Sequence, residues 1–239
     1  MMLSRPHITC LMECSVDGRI DRNRWPAQYK PSEGPGPDLY YRTLNSLGPD
    51  GNLLGLKTVR NFFKIPEYKH EGRRTLPRDP HFFRGIRDEV MMTAVFDGDG
   101  TLAYGHNKRN GSNIIAVLGT QTASEEYMRY LREHEISYTF AGDDGTDPEI
   151  ALCSLLNDFG LRNLVLEGGG SLNGSFLERG LIDDLVLIIY PGIDGMSSSL
   201  SVFEIPAAKS LTPGCGHTLE LVSVEHDEAG YVGLHYRVH

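Results

Sequence analysis

The sequence predicts a single α/β domain, and three observations favour this fold class. Apolar runs of strand length alternate with amphipathic runs of helix length along the 239 residues, a pattern typical of α/β proteins. Residues 165–191 give a strand, a glycine turn, a short helix and a second strand. Two alternating segments, 218–226 and 230–238, close the chain and predict an antiparallel hairpin. We therefore expect one domain over residues 1–239.

The remaining elements follow from periodicity and from the residues that start helices. Apolar clusters predict strands at 7–14, 52–56, 90–96, 113–118 and 136–141. Amphipathic runs predict helices at 38–47, 58–63, 122–134 and 147–159. In the third of these helices Thr122 is the expected cap, with Glu125 at the capping-box position. In the fourth, Asp147 caps the helix and Pro148 takes its first position.

Two irregular inserts interrupt this pattern, near 22–37 and 64–87. The first holds four prolines, and the second holds seven Lys and Arg residues against three Asp and Glu residues. Loops of this length in a compact domain are usually functional or mobile. The basic insert could meet an anionic substrate or cofactor, or its charges could simply be solvated. Both interpretations stay open at this point.

The glycine turn is the most informative segment of the chain. The apolar residues 161–166 end in Glu167, which Gly168, Gly169 and Gly170 follow. Glycine lets another molecule touch the backbone because it has no Cβ, and a helix that starts there offers N–H groups to a phosphate. The alternative is that the glycines only permit close packing. The run is not the spaced G-x-G-x-x-G fingerprint and lacks a P-loop lysine, so the sequence gives no support for kinase or ATPase chemistry.

Two further runs could contribute to the same site. Ser15 and Asp17 come directly after the first predicted strand, in S-V-D-G-R-I, and open α/β sheets bind ligands at strand ends. A plain turn capped by Asp17 is the alternative. In the run 51–63 a short strand meets Gly55, and Thr58 opens a helix. Thr58 could help to hold a phosphate or could be an ordinary N-cap.

Composition excludes several classes of function. A net charge of −9 and a pI near 5.4 disfavour general nucleic-acid binding. The sequence contains no stretch of ~18 or more apolar residues, so it predicts no membrane span. The N-terminus shows no signal-peptide pattern. The spacing of Cys10, Cys14, Cys153 and Cys215 fits neither a zinc site nor a redox pair. We therefore expect a cytoplasmic protein with buried free thiols and no metal.

In chain order, three motifs carry a resemblance. S-V-D-G-R-I after the first strand, G-L-K-T before a helix, and L-E-G-G-G-S-L-N-G-S-F-L-E-R-G-L-I-D-D-L resemble the reductase domain of bacterial riboflavin biosynthesis. This is the C-terminal domain of the bifunctional deaminase-reductase, whose fold is that of dihydrofolate reductase. The resemblance implies a dihydrofolate reductase-like three-layer sandwich, with a mixed, mostly parallel sheet and a C-terminal antiparallel hairpin. The zinc signature of the deaminase, H-x-E…C-x-x-C, is absent from the sequence.

The resemblance also implies an activity and a set of site residues. The protein would be an NADPH-dependent oxidoreductase, similar to 5-amino-6-(5-phosphoribosylamino)uracil reductase, which acts as a homodimer on a small-molecule substrate. Asp17 and Glu167 would be catalytic, and Ser15, Asp17 and Arg19 would bind the substrate. The implied cofactor-binding residues are Thr58, Gly119, Thr120, Gly168, Gly169, Gly170, Ser171 and Leu172.

The sequence departs from the family pattern in ways that leave alternatives open. The residues 59–64 after Thr58 lack the acidic residue and proline that usually follow, and the proline-rich insert is unusual. The turn Asp97-Gly98-Asp99 is acidic, which leaves NADH open as the cofactor because a carboxylate binds a ribose hydroxyl. The alternatives are a dihydrofolate- or pteridine-type reductase of the same fold and a non-catalytic nucleotide-binding module.

Overall fold

The computed structural model describes residues 5–29, 39–71, 75–85, 88, 90–109, 111–206 and 212–239. The chain divides into two compact units. The first comprises Asp50–Leu164 with the N-terminal residues up to Pro6, and the second comprises His7–Pro49 with Val165–His239. The expectation of one domain over 1–239 stays a prediction.

Strands and helices alternate through most of the described chain. The strands are β1 (His7–Ser15), β2 (Gly51–Gly55), β3 (Met92–Phe96), β4 (Lys108–Arg109), β5 (Ser112–Leu118), β6 (Ser137–Phe140), β7 (Asn163–Leu166), β8 (Asp184–Tyr190), β9 (Leu219–His226) and β10 (Val232–Val238). The helices are α1 (Leu39–Leu47), α2 (Leu56–Phe63), α3 (Glu125–Glu133), α4 (Pro148–Asn157) and α5 (Gly170–Glu178), with a 3-10 turn at Arg22–Arg24.

In the first unit the strands are mainly parallel. β3 pairs in parallel with β2 and with β5, β6 pairs in parallel with β5, and the short β4 is antiparallel to β5. Every residue of β5 is buried, as expected for a parallel strand covered on both faces. The hydrophobic core of the first unit includes Tyr104, Tyr127 and Leu131, which are almost completely buried.

In the second unit the strand order is β1–β8–β10–β9, and the boundary between the two units falls within β7. β1 and β8 are parallel, while β10 is antiparallel to both β8 and β9. The antiparallel hairpin predicted at the C-terminus is therefore present. Leu11, Val186 and Ile188 form a core cluster with α1 residues Leu39 and Leu44.

Helix starts were predicted with mixed success. Asp147 caps α4 through the N–H groups of Glu149 and Ile150, and Pro148 takes the first position, as expected. The cap predicted at Thr122 is wrong, because α3 begins at Glu125 and Ser124 accepts the N–H of Tyr127. The Thr122 hydroxyl instead donates to the carbonyl of Gly98.

Removing the cap of α3 has a predictable cost. Ser124→Ala leaves the N–H of Tyr127 without its acceptor, so we expect the free energy of unfolding to fall by about 1 kcal/mol. Ser124→Gly is the matched control and should cost only a few tenths of a kcal/mol. Urea unfolding of both variants measures the difference, and equal losses would contradict the capping role.

Three further sequence expectations concern the basic insert, the cysteines and membrane spans. In the basic insert, the guanidinium of Arg84 lies 5.7 Å from the ring centre of Phe82 and 5.9 Å from that of Phe159, so this charge packs on aromatic rings. All four cysteines are free thiols, and Cys10 and Cys14 are buried as expected. Cys153 is half-buried and Cys215 is exposed, contrary to the expectation of burial. Among the described helices, none has the length and apolar character needed to cross a membrane.

Candidate active site

The chain bends tightly at the end of β1, where substrate contacts were expected. Ser15 is 1% exposed, and its hydroxyl donates to Oδ1 of Asp17 at 2.7 Å. The N–H of Arg19 donates in turn to the Ser15 hydroxyl oxygen at 3.0 Å. Ser15 therefore closes the bend from within.

Asp17 anchors a distant part of the chain. Its two carboxylate oxygens accept the N–H groups of Asp194 and Gly195, both at 2.9 Å. The hydrogen bond from Ser15 and these two backbone bonds hold the pKa of Asp17 well below its usual range. The carboxylate is ionised at neutral pH, so Asp17 fits a positioning role better than that of proton donor.

Residues 192–205, called here the connecting segment, contact both α5 and the bend at residues 15–19, called here the β1 bend. The guanidinium of Arg19 donates to the carbonyl of Ser199 at 2.8 Å, and Arg19 also forms a β-bridge with Ser201. At the other end the N–H of Glu204 donates to the carbonyl of Gly170 at 3.0 Å. Two motifs far apart in sequence, the β1 bend and the glycine turn, thus contact the same segment.

The three glycines differ in what they do. Gly168 has φ +82°, which favours glycine, and a Cβ there would lie 2.9 Å from the sulfur of Met12. A Cβ on Gly170 would fall on the carbonyl oxygen of Ser201. The packing interpretation therefore accounts for these two positions. The peptide bond between Gly168 and Gly169 is cis.

Gly169 is the exception among the three. It is the cap of α5, with φ −70° and ψ −170°, an extended conformation that any residue can adopt. These φ and ψ values do not require glycine. The N–H groups of Leu172 and Asn173 donate to the carbonyl of Gly169, so the candidates for an outside acceptor are the earlier N–H groups of Gly170 and Ser171. Ser171 is exposed and Leu172 is half-buried in this first turn.

Glu167, directly before the glycines, pairs with a tyrosine from α1. The hydroxyl of Tyr40 donates to Oε1 of Glu167 at 2.6 Å. Burial raises the pKa of the Glu167 carboxyl, and the hydrogen bond from Tyr40 opposes this only in part. Burial and the neighbouring carboxylate raise the pKa of Tyr40 well above its ordinary value. Burial thus favours the protonated form of Glu167 more than that of an exposed carboxyl.

A second buried carboxylate, Glu13, lies on β1 and was missed from the sequence. Its side chain is 5% exposed and lies 3.2 Å from the guanidinium of Arg22. Its charge contributes to the raised pKa of Tyr40, which places it near the Tyr40–Glu167 pair. A charged residue inside the apolar run I-T-C-L-M-E-C was the signal available in the sequence, because such residues are rarely buried without a reason.

The other predicted cofactor residues belong to the first unit. Thr58 does not open α2, as expected from the sequence, because the helix begins at Leu56 with Gly55 as its cap. The N–H groups of Gly119 and Thr120 donate to the carbonyls of Gly98 and Gly142. Since these donors are already used within the protein, they are poorly placed to bind a phosphate.

One carboxylate of the acidic turn after β3, that of Asp97, is committed to the fold. Asp97 is fully buried and accepts the N–H groups of Thr101 and Leu102 and the hydroxyl of Tyr127. Burial raises its pKa despite these bonds. Asp97 is therefore not available to a ribose, whereas Asp99 in the same turn is exposed, and NADH stays open as the cofactor. Within the described ranges, no group of three His, Cys, Asp or Glu residues could hold a metal ion.

These features define a class of protein: an α/β enzyme with a glycine turn at a helix start and buried carboxylates beside it. A profile of the RibD C-terminal domain matches residues 6–232. The chain therefore belongs to the RibD C-terminal domain family, and it is an oxidoreductase of the riboflavin-biosynthesis type, as the motifs predicted.

Individual relatives agree with this assignment. The chain is 27% identical to the 2,5-diamino-6-ribosylamino-4(3H)-pyrimidinone 5′-phosphate reductase of Aquifex aeolicus, over 81% of this chain and 80% of the relative. A pyrimidine reductase-like protein from Corynebacterium diphtheriae has a TM-score of 0.70 at 17% identity, covering 98% of this chain and 92% of its own. The riboflavin biosynthesis reductase Rib7 of Saccharomyces cerevisiae gives 0.63 at 17%, with 98% and 90% covered. The predicted dihydrofolate reductase-like fold class is confirmed.

Proposed function

We propose that the protein reduces the ribosyl group of a ribosylaminopyrimidine 5′-phosphate to a ribityl group, with NADPH as the hydride donor. The observation that carries the proposal is the contact of both the glycine turn and the β1 bend with the connecting segment. Because these two motifs meet one segment, a dinucleotide held at the turn can reach a substrate held at the bend. The named activity of the Aquifex relative supports the substrate class.

The residues of the glycine turn fit a dinucleotide diphosphate. Gly168, Gly169, Gly170, Ser171 and Leu172 are the proposed binding residues, although the N–H of Leu172 already donates to the carbonyl of Gly169. Gly169 is the glycine whose φ and ψ do not require this residue type. The dipole and N–H groups at the start of α5 favour a phosphate. When bound, NADPH supplies a hydride. Thr58 stays a proposed contact, whereas the committed donors of Gly119 and Thr120 favour a structural role.

The substrate end of the site has distinct tasks. Ser15, Asp17 and Arg19 hold the bend and the connecting segment in place, which positions the substrate. Reduction of the ribosyl carbon consumes a proton as well as the hydride. We assign that proton to Glu167, because burial keeps this carboxyl protonated more readily than a surface one and Tyr40 fixes its orientation.

The proposal is tested by the oxidation of NADPH with defined substrates. Two ribosylaminopyrimidine 5′-phosphates should be compared, the 2,5-diaminopyrimidinone and the 5-aminouracil, with NADH and dihydrofolate as controls. Oxidation of NADPH by either pyrimidine, with a ribityl product in the mass spectrum, is the expected result. NADPH binding without turnover would favour the nucleotide-binding module, and turnover of dihydrofolate alone would favour the pteridine-type reductase.

Asp17→Asn separates the positioning role from cofactor binding. An amide at Asp17 loses an acceptor for the N–H of Asp194 or Gly195, so the connecting segment shifts. We expect kcat to fall by about tenfold, in line with the sensitivity of turnover to small misplacements, while the Kd for NADPH stays unchanged. Asp79→Asn, at a side chain that is 80% exposed, is the control. A loss of NADPH affinity in Asp17→Asn with kcat preserved would assign Asp17 to the cofactor instead.

The setting of the enzyme is part of the proposal. The four free thiols suit the reducing cytoplasm, and we propose that the protein acts there. We also propose that it acts as a homodimer. Fractionation of cells with an antibody against the chain would test the location.

A further inference from the structure

Two buried carboxyl groups lie on the same face of the sheet in the second unit. Leu11 of β1 and Val165 of β7 belong to one core cluster with residues of α1, so α1 covers this face of both strands. Residues two apart along a strand share a face, which places Glu13 on the α1 side together with Leu11. Glu167 follows β7 and lies on this side too, since Tyr40 of α1 donates to it at 2.6 Å.

The two carboxyl groups are also close along the strands. β1 and β7 are neighbours in the sheet, and neighbouring strands lie about 5 Å apart. A Cβ on Gly168 would lie 2.9 Å from the sulfur of Met12, so the chain directly after Glu167 runs beside the residue directly before Glu13. The charge of Glu13 contributes to the raised pKa of Tyr40, as expected of a group near the tyrosine hydroxyl.

Glu13 and Glu167 differ in their partners. The guanidinium of Arg22, from the proline-rich insert, lies 3.2 Å from Glu13, and a cation at this distance favours the ionised form of a carboxyl group. Glu167 accepts the neutral hydroxyl of Tyr40, and burial raises its pKa. Two like charges on one buried face are unfavourable, so the proton stays on the carboxyl group whose partner is neutral. Such a difference in environment separates a proton donor from a fixed charge.

The start of the proline-rich insert is anchored just after Arg22. The guanidinium of Arg24 donates to both carboxylate oxygens of Asp194, at 3.2 and 2.8 Å. The ring of Trp25 stacks on that of Tyr190 in β8, with the ring centres 4.8 Å apart. The guanidinium of Arg22 is therefore carried by a segment that is fixed to β8 and to the connecting segment.

Further titratable groups come from the elements around the pair. The hydroxyl of Tyr190 donates to a backbone carbonyl at 2.6 Å, so it is protonated. Burial and the charges of Glu13 and Asp17 raise the pKa of the Cys14 thiol to about 11, so this thiol is neutral at pH 7. Asp17 and Glu204 accept backbone N–H groups of the connecting segment. Among these groups, Glu13 is the buried negative charge that shares a face with the proposed proton donor.

We propose that Glu13 is a positioning residue of the reaction: its negative charge, held in place by Arg22, keeps the proton on Glu167. This role rests on the proposed function, in which Glu167 donates the proton that accompanies the hydride. Glu13 acts through Glu167 and needs no contact with substrate or cofactor. The start of the proline-rich insert thereby gains a task, because it carries the cation that fixes the charge of Glu13.

Carboxyl ¹³C NMR of the protein without ligands tests the charge directly, because it requires no turnover. Glutamate is labelled, and the side-chain resonances of Glu13 and Glu167 are assigned through backbone correlations. In Glu13→Gln the pKa of Glu167 should fall by about 1, since a neighbouring like charge is removed. Glu228→Gln removes the same charge from an exposed position of the second unit and should leave this pKa unchanged. A Glu167 pKa that is unchanged or higher in Glu13→Gln would overturn the proposal.

The pH dependence of turnover gives a second measurement. Because the acid form of Glu167 is the active one, kcat of Glu13→Gln should begin to fall at a pH lower by about 1 than in the wild type. Below that pH, kcat and the Kd for NADPH should equal those of the wild type. A uniform loss of kcat at every pH would assign Glu13 to packing and overturn the proposal. A wild-type protein that does not oxidise NADPH would refute the proposed function instead, and the NMR titration would still measure the effect of Glu13 on Glu167.

Arg22→Gln and Arg22→Lys test the source of the fixed charge, and they also cover the case in which Glu13→Gln fails to fold. Loss of the guanidinium should raise the pKa of Glu13, whereas lysine retains a cation and should keep this pKa closer to that of the wild type. A titration of Glu13 that is the same in Arg22→Gln as in the wild type would overturn the role of Arg22 and with it the proposal.

Discussion

Replacing Gly169 by valine abolishes NADPH binding while the protein stays folded. The backbone of Gly169 is extended, with φ −70° and ψ −170°, values that residues with a side chain also adopt. Its Cβ and methyl groups would occupy the place that we assign to the diphosphate. Titration calorimetry should show a loss of affinity of at least about 100-fold, the scale of about 3 kcal/mol. The midpoint of thermal unfolding should remain close to that of the wild type.

Gly170→Val is the matched control on the next residue. Its Cβ would fall on the carbonyl oxygen of Ser201 and lie 2.9 Å from Cγ of Glu204, so this variant should unfold at a lower temperature. The two neighbouring substitutions therefore separate a ligand role from a packing role. Wild-type affinity for NADPH in Gly169→Val would show that the glycine turn serves packing at all three positions.

Glu167→Gln removes the proposed proton donor and leaves its shape. The amide oxygen can still accept the hydroxyl of Tyr40, so we expect an intact fold and a kcat lower by about 10²–10⁴-fold, the usual contribution of general acid catalysis. An unchanged kcat at every pH would eliminate Glu167 as the proton donor. Single-turnover kinetics with saturating NADPH should be measured, so that cofactor binding does not contribute to the difference.

The pH dependence gives a signature that a structural role would not produce. The acid form of Glu167 is the active one, so turnover should fall as pH rises through its raised pKa. The hydrogen bond from Tyr40 stabilises the carboxylate and lowers this pKa. Tyr40→Phe should therefore raise the pH at which turnover begins to fall. If this pH is unchanged or lower in the variant, the coupling of the two side chains is contradicted.

Local signals predicted the elements well and their exact starts less well. Asp147 followed by Pro148 identified the start of α4, because both residues act within one turn. Thr122 was predicted as the cap of α3, whereas Ser124 is the cap in the structure, and both residue types can cap a helix. The hydroxyl of Thr122 is used elsewhere, by the carbonyl of Gly98. That carbonyl lies 24 residues away in the chain, and no local pattern reveals it.

The site was predicted through its motifs but not through its contacts. The glycine turn and the β1 bend were recognised because a glycine cluster and an Asp-Gly pair mark turns at strand ends. The bonds from Asp194 and Gly195 to Asp17 cross 177 and 178 residues, so the anchoring role of Asp17 appears only in the fold. Tyr40 had no distinguishing pattern, since a tyrosine in an amphipathic helix is ordinarily a packing residue. Its partner Glu167 lies 127 residues away.

The central claim is that the start of α5 holds a dinucleotide whose reactive ring reaches the β1 bend. A crystal structure of the protein with NADPH tests it most directly. We predict diphosphate oxygens within hydrogen-bond distance of the backbone N–H groups at Gly169–Ser171, and the nicotinamide beside Ser15 and Glu167. NADPH bound elsewhere, with the glycine turn in contact only with protein atoms, would contradict the account.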